Sequence, residues 1–362
     1  MKHIGIIGAG QLGQMLALAG TPLGYTFTFI DPSHQPCAAG LGHHIQAEYD
    51  DEAALEQLGI ECDLVTFEFE NVPAPAIEHL KNFTTVHPTV QALETAQDRL
   101  NEKTFFRNHG IPVGEFAAVS SWEQLQAAVA NLGLPAVLKT RRFGYDGKGQ
   151  RVLKTPDDIQ IAWKELGGTP LILEAFIPFT REVSIIAVRS IHGEMAFYPL
   201  TENVHRDGIL HRSIARPGDW MQAQAESHAR KVMEALNYAG VMGFEFFQVE
   251  DRLLANEIAP RVHNSGHWTQ NGAVTSQFEN HLRAIDGLPL GNTNTLCHAG
   301  MLNFIGKLPD REQVLRIPGT HWHDYHKEPR SGRKVGHVNI TAPTAPLLEE
   351  RLAHVEALMD PA

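Results

Sequence analysis

The sequence has no long hydrophobic run, few cysteines and no excess of basic residues, and each absence excludes a class of protein. No apolar segment approaches the roughly 20 residues of a membrane-spanning helix, so we expect no membrane partner. The three cysteines, Cys37, Cys62 and Cys297, are scattered and lack metal-site spacing, which favours a reducing, cytoplasmic location. The formal net charge of −12 argues against a nucleic-acid-binding protein, which needs a basic surface.

The composition is that of a globular protein with more than one domain. Its 362 residues are 43% hydrophobic and 20% charged, and this length predicts two or three domains. The pattern of strands and helices indicates a mixed α/β and α+β fold. We predict a doubly wound α/β domain over residues 1–92, a central domain over 93–295 with a lid subdomain at about 118–181, and a small β-rich domain over 296–362.

A glycine fingerprint follows the first predicted strand. Gly8, Gly10 and Gly13 precede a predicted helix, and Asp31 comes about 20 residues later. Taken alone, this pattern favours an NAD-dependent oxidoreductase. Two other interpretations stay open: the glycines serve only a tight turn and helix packing, or the helix N-terminus and Gln11 hold the phosphate of a different ligand.

The segment LKTRRFGYDGKGQ combines glycines with cations. Gly144, Gly147 and Gly149 allow backbone N–H groups to turn toward an anion, and Lys139 and Lys148 add positive charge. The spacing predicts a flexible lid over a nucleoside triphosphate, although it is not a Walker A loop. A basic surface hairpin explains the same residues equally well.

A mostly apolar predicted strand, Leu171–Phe176, carries one acid, Glu174, and leads to Glu182. Such a strand suits the wall of an adenine pocket, with Glu182 within reach of a ribose. A solvated acid at a strand end is the other explanation of Glu174.

Two further segments are predicted from their patterns. The residues Thr89–His109, which include Arg99, form a single predicted helix. The segment ENVHRDGILH is predicted to be a polar loop, in which His205 is either functional or an ordinary surface histidine.

A predicted hairpin, GFEFFQVE followed by RLLANEIAPR, carries acids between apolar residues. Because side chains alternate between the two faces of a strand, the turn length decides which residues meet. A three-residue turn at Glu250–Arg252 places Glu245 opposite Glu257, whereas a two-residue turn places Asn256 there. Acids between apolar neighbours are unfavourable unless they are neutralised or hold a cation, and a few oxygen ligands suit Mg²⁺ shared with nucleotide phosphates. Two solvent-facing acids are the alternative.

Two later segments concentrate polar and basic side chains. APRVHNSGHWTQ holds Arg261 and His263 around a glycine, and KEPRSGRK places Lys327, Arg333 and Lys334 in an acidic protein. A phosphate or phosphoribosyl group is the natural counter-ion of the second segment. A solvated basic loop is the competing interpretation.

In this order the features resemble the ATP-grasp superfamily: a glycine-fingerprint domain, a DRLNEK helix, a lysine before a glycine lid, an EAFI strand, and acids on a hairpin. The match covers essentially the whole chain. Within the superfamily, RRFGYDGKGQ and NEIAPRVHNSGHWTQNGA are similar to the 5-(carboxyamino)imidazole ribonucleotide synthetase family. The resemblance implies an N-terminal Rossmann-like pre-ATP-grasp domain, an ATP-grasp domain with its lid, and a small β-rich C-terminal domain.

The resemblance also implies a reaction in purine biosynthesis. ATP, bicarbonate and 5-aminoimidazole ribonucleotide would give the carboxyamino product, ADP and phosphate by way of carboxyphosphate. The protein would be an ADP-forming carbon–nitrogen ligase with two Mg²⁺ ions and neither NAD nor biotin. A cytoplasmic homodimer is expected.

The residues that match the family's motifs carry implied roles. Those implied for ATP are Arg99, Lys139, Gly144, Tyr145, Asp146, Gly147, Lys148, Gly149, Gln150, Glu174, Ala175, Phe176, Ile177, Glu182, His205, Asn256 and Glu257. Those implied for the ribonucleotide, bicarbonate or amine are Gln11, Leu12, Glu70, Tyr145, Arg261, His263, Lys327, Arg333 and Lys334. Glu245 and Glu257 would hold Mg²⁺. Catalytic roles are expected for Lys148, Arg261, and Asp146 or His263, the last two as candidates for the amine proton.

Alternatives remain at this point. A formate-dependent glycinamide ribonucleotide transformylase shares the layout, although HNSGHWT and FGYDGKGQ favour the carboxylating family. An NAD-dependent dehydrogenase, from a different class, is favoured only by the first domain. A biotin carboxylase would be a longer chain, and a non-catalytic ATP-binding protein would not need all of these acids and lysines.

Overall fold

A computed structural model of the protein describes residues 2–144 and 147–359. Its strands form a five-stranded, a four-stranded and a nine-stranded sheet, which confirms the mixed fold class. Tyr145 and Asp146, both predicted site residues, lie outside the described ranges. Within those ranges, no helix combines the length and the apolar character that a bilayer crossing needs.

The first unit is a parallel sheet with helices on both faces. Its elements are β1 (His3–Ile7), α1 (Gln11–Gly20), β2 (Thr26–Ile30), β3 (His43–Ile45), α2 (Glu52–Glu61), β4 (Leu64–Phe67), α3 (Ala74–Leu80) and β5 (Thr85–Val86). The strand order β3-β2-β1-β4-β5 is that of a doubly wound α/β unit. Because β1 and β4 are parallel neighbours, the glycine turn after β1 and the acids after β4 lie at the same edge.

Two helices follow the first unit. The prediction of a single helix over Thr89–His109 is wrong, because α4 (Val90–Gln97) and α5 (Arg99–Asn108) are separated at Asp98. Asp98 has an extended backbone, with φ −130° and ψ 111°, and its carboxylate accepts hydrogen bonds from N–H groups in the first turn of α5. A capping carboxylate competes with continuation of the preceding helix, so the chain turns here and α5 starts anew.

A four-stranded antiparallel sheet, which we call the lid sheet, comes next. Its unit contains β6 (Phe116–Val119), α6 (Trp122–Leu132), β7 (Ala136–Thr140), β8 (Gln150–Leu153), α7 (Pro156–Leu166) and β9 (Leu171–Ala175). The strand order is β6-β9-β7-β8, and buried residues of both helices and the sheet share one core. The glycine segment connects β7 to β8, as predicted.

A nine-stranded antiparallel sheet, the central sheet, holds the rest of the chain together. Its unit contains β10 (Arg181–Arg189), β11 (Met195–Phe197), β12 (Thr201–Arg206), β13 (Ile209–Ala215), α8 (Gln222–Ala235), β14 (Gly240–Val249), β15 (Arg252–Ala259), α9 (Thr269–Gly272), α10 (Gln277–Asp286), β16 (His298–Ile305), α11 (Arg311–Leu315), β17 (Thr320–Asp324), β18 (Lys334–Ala342) and α12 (Ala345–Met359). The predicted C-terminal β-rich unit extends this sheet, because β16 pairs with β13. The domain boundaries themselves stay predictions.

His205 lies on a strand. The predicted polar loop is wrong: β12 and β13 form a hairpin whose turn is Asp207-Gly208, with φ values of 52° and 76°. An Asp-Gly pair with two positive φ angles is a strong hairpin signal, and the sequence prediction overlooked it. The register shifts between Val204 and His205.

The acid-bearing hairpin has the shorter of the two turns considered, and yet it pairs the two carboxylates. Val249 pairs with Arg252, so the turn has two residues, and a regular ladder would place Asn256 opposite Glu245. A register shift between Glu245 and Phe246 instead pairs Glu245 with Glu257. Bulges of this kind redirect side chains beside functional sites.

Candidate functional site

Two neighbouring cavities lie where the three sheets meet. One, the lid cavity, has a volume of about 260 Å³ and lies between the lid sheet and the central sheet. The other, the inner cavity, has a volume of about 390 Å³ and lies between the first unit and the central sheet. They share a wall, which we call the junction; it consists of Arg99, His205, Gly208, Glu245 and Glu257.

The lid cavity gathers most of the residues that the family resemblance implies for ATP. Lining it are Arg99, Lys139, Gly147, Gln150, Glu174, Ala175, Phe176, Ile177, Glu182, His205, Asn256 and Glu257. The sequence interpretation missed its apolar walls, Val137, Val152, Phe179 and Phe247. Val137 lies two residues before Lys139 on the same face of β7, so strand alternation would have found it.

The remaining lid residues lie around this cavity. Gly144 lines the inner cavity, Lys148 is exposed in the turn, and Gly149 has a φ of +71°. A methyl group at Gly149 would come within 2.6 Å of the Thr140 hydroxyl oxygen. Glycine is therefore required there for both backbone conformation and space.

Glu174 holds two lysines beneath the lid cavity. Its Oε2 atom lies 3.0 Å from Lys139 Nζ and 3.3 Å from Lys103 Nζ. Burial acts to raise the pKa of Glu174, but the two lysine charges outweigh it and lower the pKa to about 2. The interpretation as a solvated acid at a strand end is wrong, because Glu174 is 6% exposed. Lys103 was not predicted, although it lies one helical turn after Arg99.

His205 contacts the carboxylate of Glu182 through its Nδ1 atom. Burial acts to lower the pKa of His205, but the hydrogen bond and charge of Glu182 raise it above the usual value. The contact with Glu182 therefore favours the protonated, positively charged form of His205 at the junction.

The inner cavity gathers side chains from distant parts of the chain. Predicted residues that line it are Gln11, Leu12, Glu70, Arg261, His263 and Lys334. Lys327 reaches it indirectly, because its Nζ atom donates a hydrogen bond to Gln11 Oε1 at 2.5 Å. The structure does not bring Arg333 into this wall; its guanidinium donates to the backbone oxygen of Glu328 at 3.2 Å. Lining residues that the sequence did not indicate include Glu68, Asn71, Gln97, Asn264 and His267.

Glu70 and Arg261 form an ion pair inside this cavity. Burial acts to raise the pKa of Glu70, but the Arg261 charge and hydrogen bond lower it. Both side chains are thus ionised near neutral pH and available to a polar ligand. The pair joins the loop after β4 to the end of β15.

Two adjacent arginines attach the lid to its surroundings. Arg141 forms a bidentate ion pair with Asp98, with distances of 2.8, 3.0 and 3.1 Å. Arg142 Nη2 donates to Gln97 Oε1 at 2.6 Å. Gln97 Nε2 donates in turn to two backbone carbonyls of the loop that carries Glu70, at 2.8 and 2.7 Å. One arginine therefore contacts the N-cap of α5, and the other contacts the wall of the inner cavity.

The glycine fingerprint is occupied by the protein's own carboxylates. Glu68 accepts hydrogen bonds from the backbone N–H groups of Gly10 and Gly13, and Asp31 accepts one from Ala9 at 3.0 Å. These N–H groups are the donors that a dinucleotide phosphate would use. The loop therefore does not present the phosphate site of an NAD-dependent dehydrogenase.

The junction carries a pair of carboxylates suited to a divalent cation. Burial and the neighbouring charge of Glu257 raise the pKa of Glu245, whereas the ion pair with Arg99 lowers that of Glu257 despite its burial. A bound cation would relieve this repulsion, and two carboxylates fit Mg²⁺. Within residues 2–144 and 147–359, no cluster of three or more His, Cys, Asp or Glu side chains that could hold a metal ion is found.

Family models match nearly the whole chain. A Ribonucleotide synthetase preATP-grasp domain matches residues 1–97, an ATP-grasp domain matches residues 104–278, and a Phosphoribosylaminoimidazole carboxylase C-terminal domain matches residues 299–351. The second match spans the lid unit and the central unit as far as the start of α10, and the third lies in the part of the central unit from β16 onward.

Individual relatives match over the same length. The chain is 55% identical to an N5-carboxyaminoimidazole ribonucleotide synthase of Pseudomonas aeruginosa, over 99% of both chains. A crystal structure of N5-carboxyaminoimidazole ribonucleotide synthetase from Thermus thermophilus superposes with a TM-score of 0.94 at 51% identity, over 98% of both chains. The synthase of Aspergillus clavatus, in complex with ADP and 5-aminoimidazole ribonucleotide, gives 0.92 at 32% identity, covering 100% of this chain and 99% of that one.

Proposed function

The chain belongs to the N5-carboxyaminoimidazole ribonucleotide synthase family of ATP-grasp enzymes, and from this membership we infer that it catalyses the ADP-forming, ATP-dependent carboxylation of 5-aminoimidazole ribonucleotide in purine biosynthesis. The observation that carries this inference is the pair of cavities that meet at Glu245 and Glu257. If the phosphoryl donor and its acceptor bind in separate cavities, they can react only where the two cavities meet, which is at the junction.

ATP is assigned to the lid cavity. Its apolar walls suit the adenine ring, and the polar groups of β9 reach the edge of the base. Lys139 and the glycine segment, with Lys148, are assigned to the phosphates, and Glu182 to the ribose. Arg99 and His205, which lie at the junction, are assigned to the terminal phosphates.

Mg²⁺ is assigned to Glu245 and Glu257, and two ions are proposed. When bound, Mg²⁺ neutralises the charge of the transferring phosphoryl group and orients it. Arg99 holds Glu257 at 2.8 Å, which fixes the direction of that carboxylate. The glycine lid excludes water from the site while the reactive intermediate is present.

The ribonucleotide is assigned to the inner cavity. Gln11, Leu12 and Glu70 would contact its ribosyl side, and Lys327 and Lys334 its phosphate. Arg333, predicted for the same phosphate, lies outside this wall and bonds the backbone of Glu328. This assignment is supported by the Lys327–Gln11 hydrogen bond, which brings the basic loop beside the glycine turn.

Bicarbonate is the proposed carbon source, by way of carboxyphosphate. Arg261 lines the inner cavity and would stabilise the charge of the new carboxylate. Asp146, which is outside the described residues, and His263 are the candidates for the proton of the amine.

The test is steady-state ADP release from Mg-ATP, with and without 5-aminoimidazole ribonucleotide, at low and high bicarbonate. We expect release that depends on the ribonucleotide, together with acid-labile fixation of labelled bicarbonate. Turnover driven by glycinamide ribonucleotide and formate would replace the proposed substrates with those of the transformylase. The proposed homodimer and cytoplasmic location are checked separately, by sedimentation and by cell fractionation.

A further inference from the structure

The position of His263 is fixed by a buried side chain and by the neighbouring strand. Gln277, fully buried, accepts a hydrogen bond from the His263 backbone N–H at 2.9 Å and donates one to its backbone carbonyl at 2.7 Å. Strand β14 passes against the ring, since a methyl group at Gly243 would lie 2.6 Å from His263 Cβ. The ring therefore has little freedom to rotate or shift.

A chain of buried hydroxyl and amide groups leads to the ring. Asn203 Nδ2 donates to Ser184 Oγ at 2.9 Å, Ser184 Oγ lies 2.7 Å from Ser265 Oγ, and Ser265 Oγ lies 2.8 Å from His263 Nδ1. Ser184 and Ser265 are 0% exposed. Ser213 extends the chain by donating to Asn203 Oδ1 at 2.8 Å. No catalytic role described above uses any of these four residues.

The two ends of this arrangement decide the direction of its hydrogen bonds. The backbone N–H of Ser265 donates to His263 Nδ1 at 3.4 Å, and a backbone N–H has no other role than donor. Asn203 Nδ2 can only donate, so the hydroxyl protons of Ser184 and Ser265 are directed toward His263 Nδ1. On the other side of the ring, Nε2 lies at the junction, 3.6 Å from Glu245 Oε1. Nδ1 is therefore the acceptor and Nε2 carries the proton, because the hydrogen bond at one ring nitrogen sets the state of the other.

We propose that Asn203, Ser184 and Ser265 are positioning residues that hold His263 as the tautomer protonated at Nε2, so that the ring donates a hydrogen bond into the junction. In this state the ring has no free acceptor nitrogen for the proton of the substrate amine. Its Nε2–H is aimed at the place where carboxylate charge develops, which is a stabilising role. The assignment of the tautomer does not depend on what the substrates are. Its catalytic role, in contrast, rests on the proposed function.

The first test is nuclear magnetic resonance of the full-length protein labelled with ¹⁵N-histidine. The sequence has 20 histidines, and the His263 signals are assigned by their loss in His263→Gln. We expect an unprotonated Nδ1 and a protonated Nε2 for this ring. A protonated Nδ1 in the wild-type protein would overturn the proposal whatever the protein's substrates are.

The second test removes the hydroxyl groups that lead to His263 Nδ1, one at a time. Ser265→Ala deletes the group that contacts Nδ1; we expect a mixture of tautomers and a fall in kcat of about tenfold, with the KM for ATP within about twofold of wild type. Ser184→Ala, one step away, should have a smaller effect of the same kind. Ser190→Ala is the matched control, because Ser190 is equally buried but bonds only the backbone of its own turn.

Two results separate the possible failures. If Ser265→Ala keeps both the tautomer and kcat, the chain does not position the ring and the proposal fails. If the wild-type protein shows the expected tautomer but no ribonucleotide-dependent ADP release, the proposed function fails while the positioning role stands.

Discussion

The lid cavity and the inner cavity are built in different ways. The lid cavity takes several of its lining residues from one short continuous segment, Glu174–Ile177. The inner cavity brings together residues far apart in the chain: Lys327 and Gln11 are separated by 316 positions, and Arg261 and Glu70 by 191. The residues assigned to the nucleotide thus lie in local motifs that the sequence shows directly. The residues assigned to the second substrate come together only after the three sheets have assembled.

The junction is the strongest test of whether the two cavities form one site. Glu257→Gln removes one of the two carboxylates that they share, and we expect ribonucleotide-dependent ADP release to fall by about a thousandfold, since several kcal/mol of charge stabilisation are lost. The measurement is kcat at saturating substrates and Mg²⁺. Glu250→Gln, in the turn of the same hairpin, should leave kcat unchanged; full activity of Glu257→Gln would contradict the shared site.

A substitution at Lys327 tests whether binding in the inner cavity can be weakened without weakening binding in the lid cavity. Lys327→Met removes a charged donor for the substrate phosphate, and we expect the KM for the ribonucleotide to rise about a hundredfold while the KM for ATP stays constant. Initial rates with each substrate varied give both constants. The exposed Lys307→Met serves as the control. An equal rise in both KM values would mean that the two cavities are not separable.

The two lid arginines sharpen the comparison further. Arg142→Leu breaks the contact with Gln97, which supports the loop of Glu70, so the KM for the ribonucleotide should rise about tenfold. Arg141→Leu breaks the contact with Asp98, which caps the helix that carries Arg99, and it also removes a side chain that lines the inner cavity, so we expect the KM values for both substrates to rise. Identical substitutions at neighbouring positions control for one another. The same change in both constants for both variants would show that the lid acts on the two cavities as a single body.

As the pH falls, the stabilising contribution of buried histidines near the inner cavity should be lost before that of Glu174 beneath the lid cavity. Burial keeps the pKa of His337 well below 6.5, so its stabilising contribution is complete above pH 6.5 and is lost as the pH falls. The lowered pKa of Glu174, about 2, gives a contribution that is complete above pH 4.5 and is lost only as the pH falls toward 2. We expect the free energy of unfolding to decrease between pH 6.5 and 4.5 by up to about 1.4 kcal/mol for each pH unit and each such histidine.

Denaturant unfolding at several pH values measures this slope. His337→Gln should flatten it, because glutamine also bonds Tyr325 and Gln270 but does not titrate. The exposed His354→Gln should leave the slope as it is. A slope unchanged by His337→Gln would contradict this explanation.

Much of the fold follows from the sequence, because most elements have strong local signals. The glycine lid, the helix Pro156–Leu166 and the apolar strands of the first unit lie where periodicity and turn residues predict them. The single helix over Thr89–His109 was wrong, since periodicity does not reveal that Asp98 prefers to cap α5 and pair with Arg141. The turn length left the partner of Glu245 open, and the sequence did not reveal the bulge that pairs Glu245 with Glu257 across a two-residue turn.

The inner cavity was harder to predict for a physical reason. Its parts meet only through tertiary contacts, and residues such as Gln97 and Ser265 act through hydrogen bonds that no spacing along the chain indicates. The buried state of Glu174 was likewise hidden, because the compensating Lys103 comes from a helix 71 residues earlier in the chain, the difference between positions 174 and 103. Tertiary partners, not local pattern, decide such cases.

The pairing of β16 with β13 has a consequence for anyone who cuts this chain into parts. Removing the residues from β16 onward would leave β13 as a bare sheet edge, with backbone groups ready to pair with another molecule. The exposed edge would adjoin the hairpin that carries His205. A truncated protein is therefore expected to self-associate through that edge rather than persist as a smaller working enzyme, so the C-terminal strands also serve to cover the edge of β13.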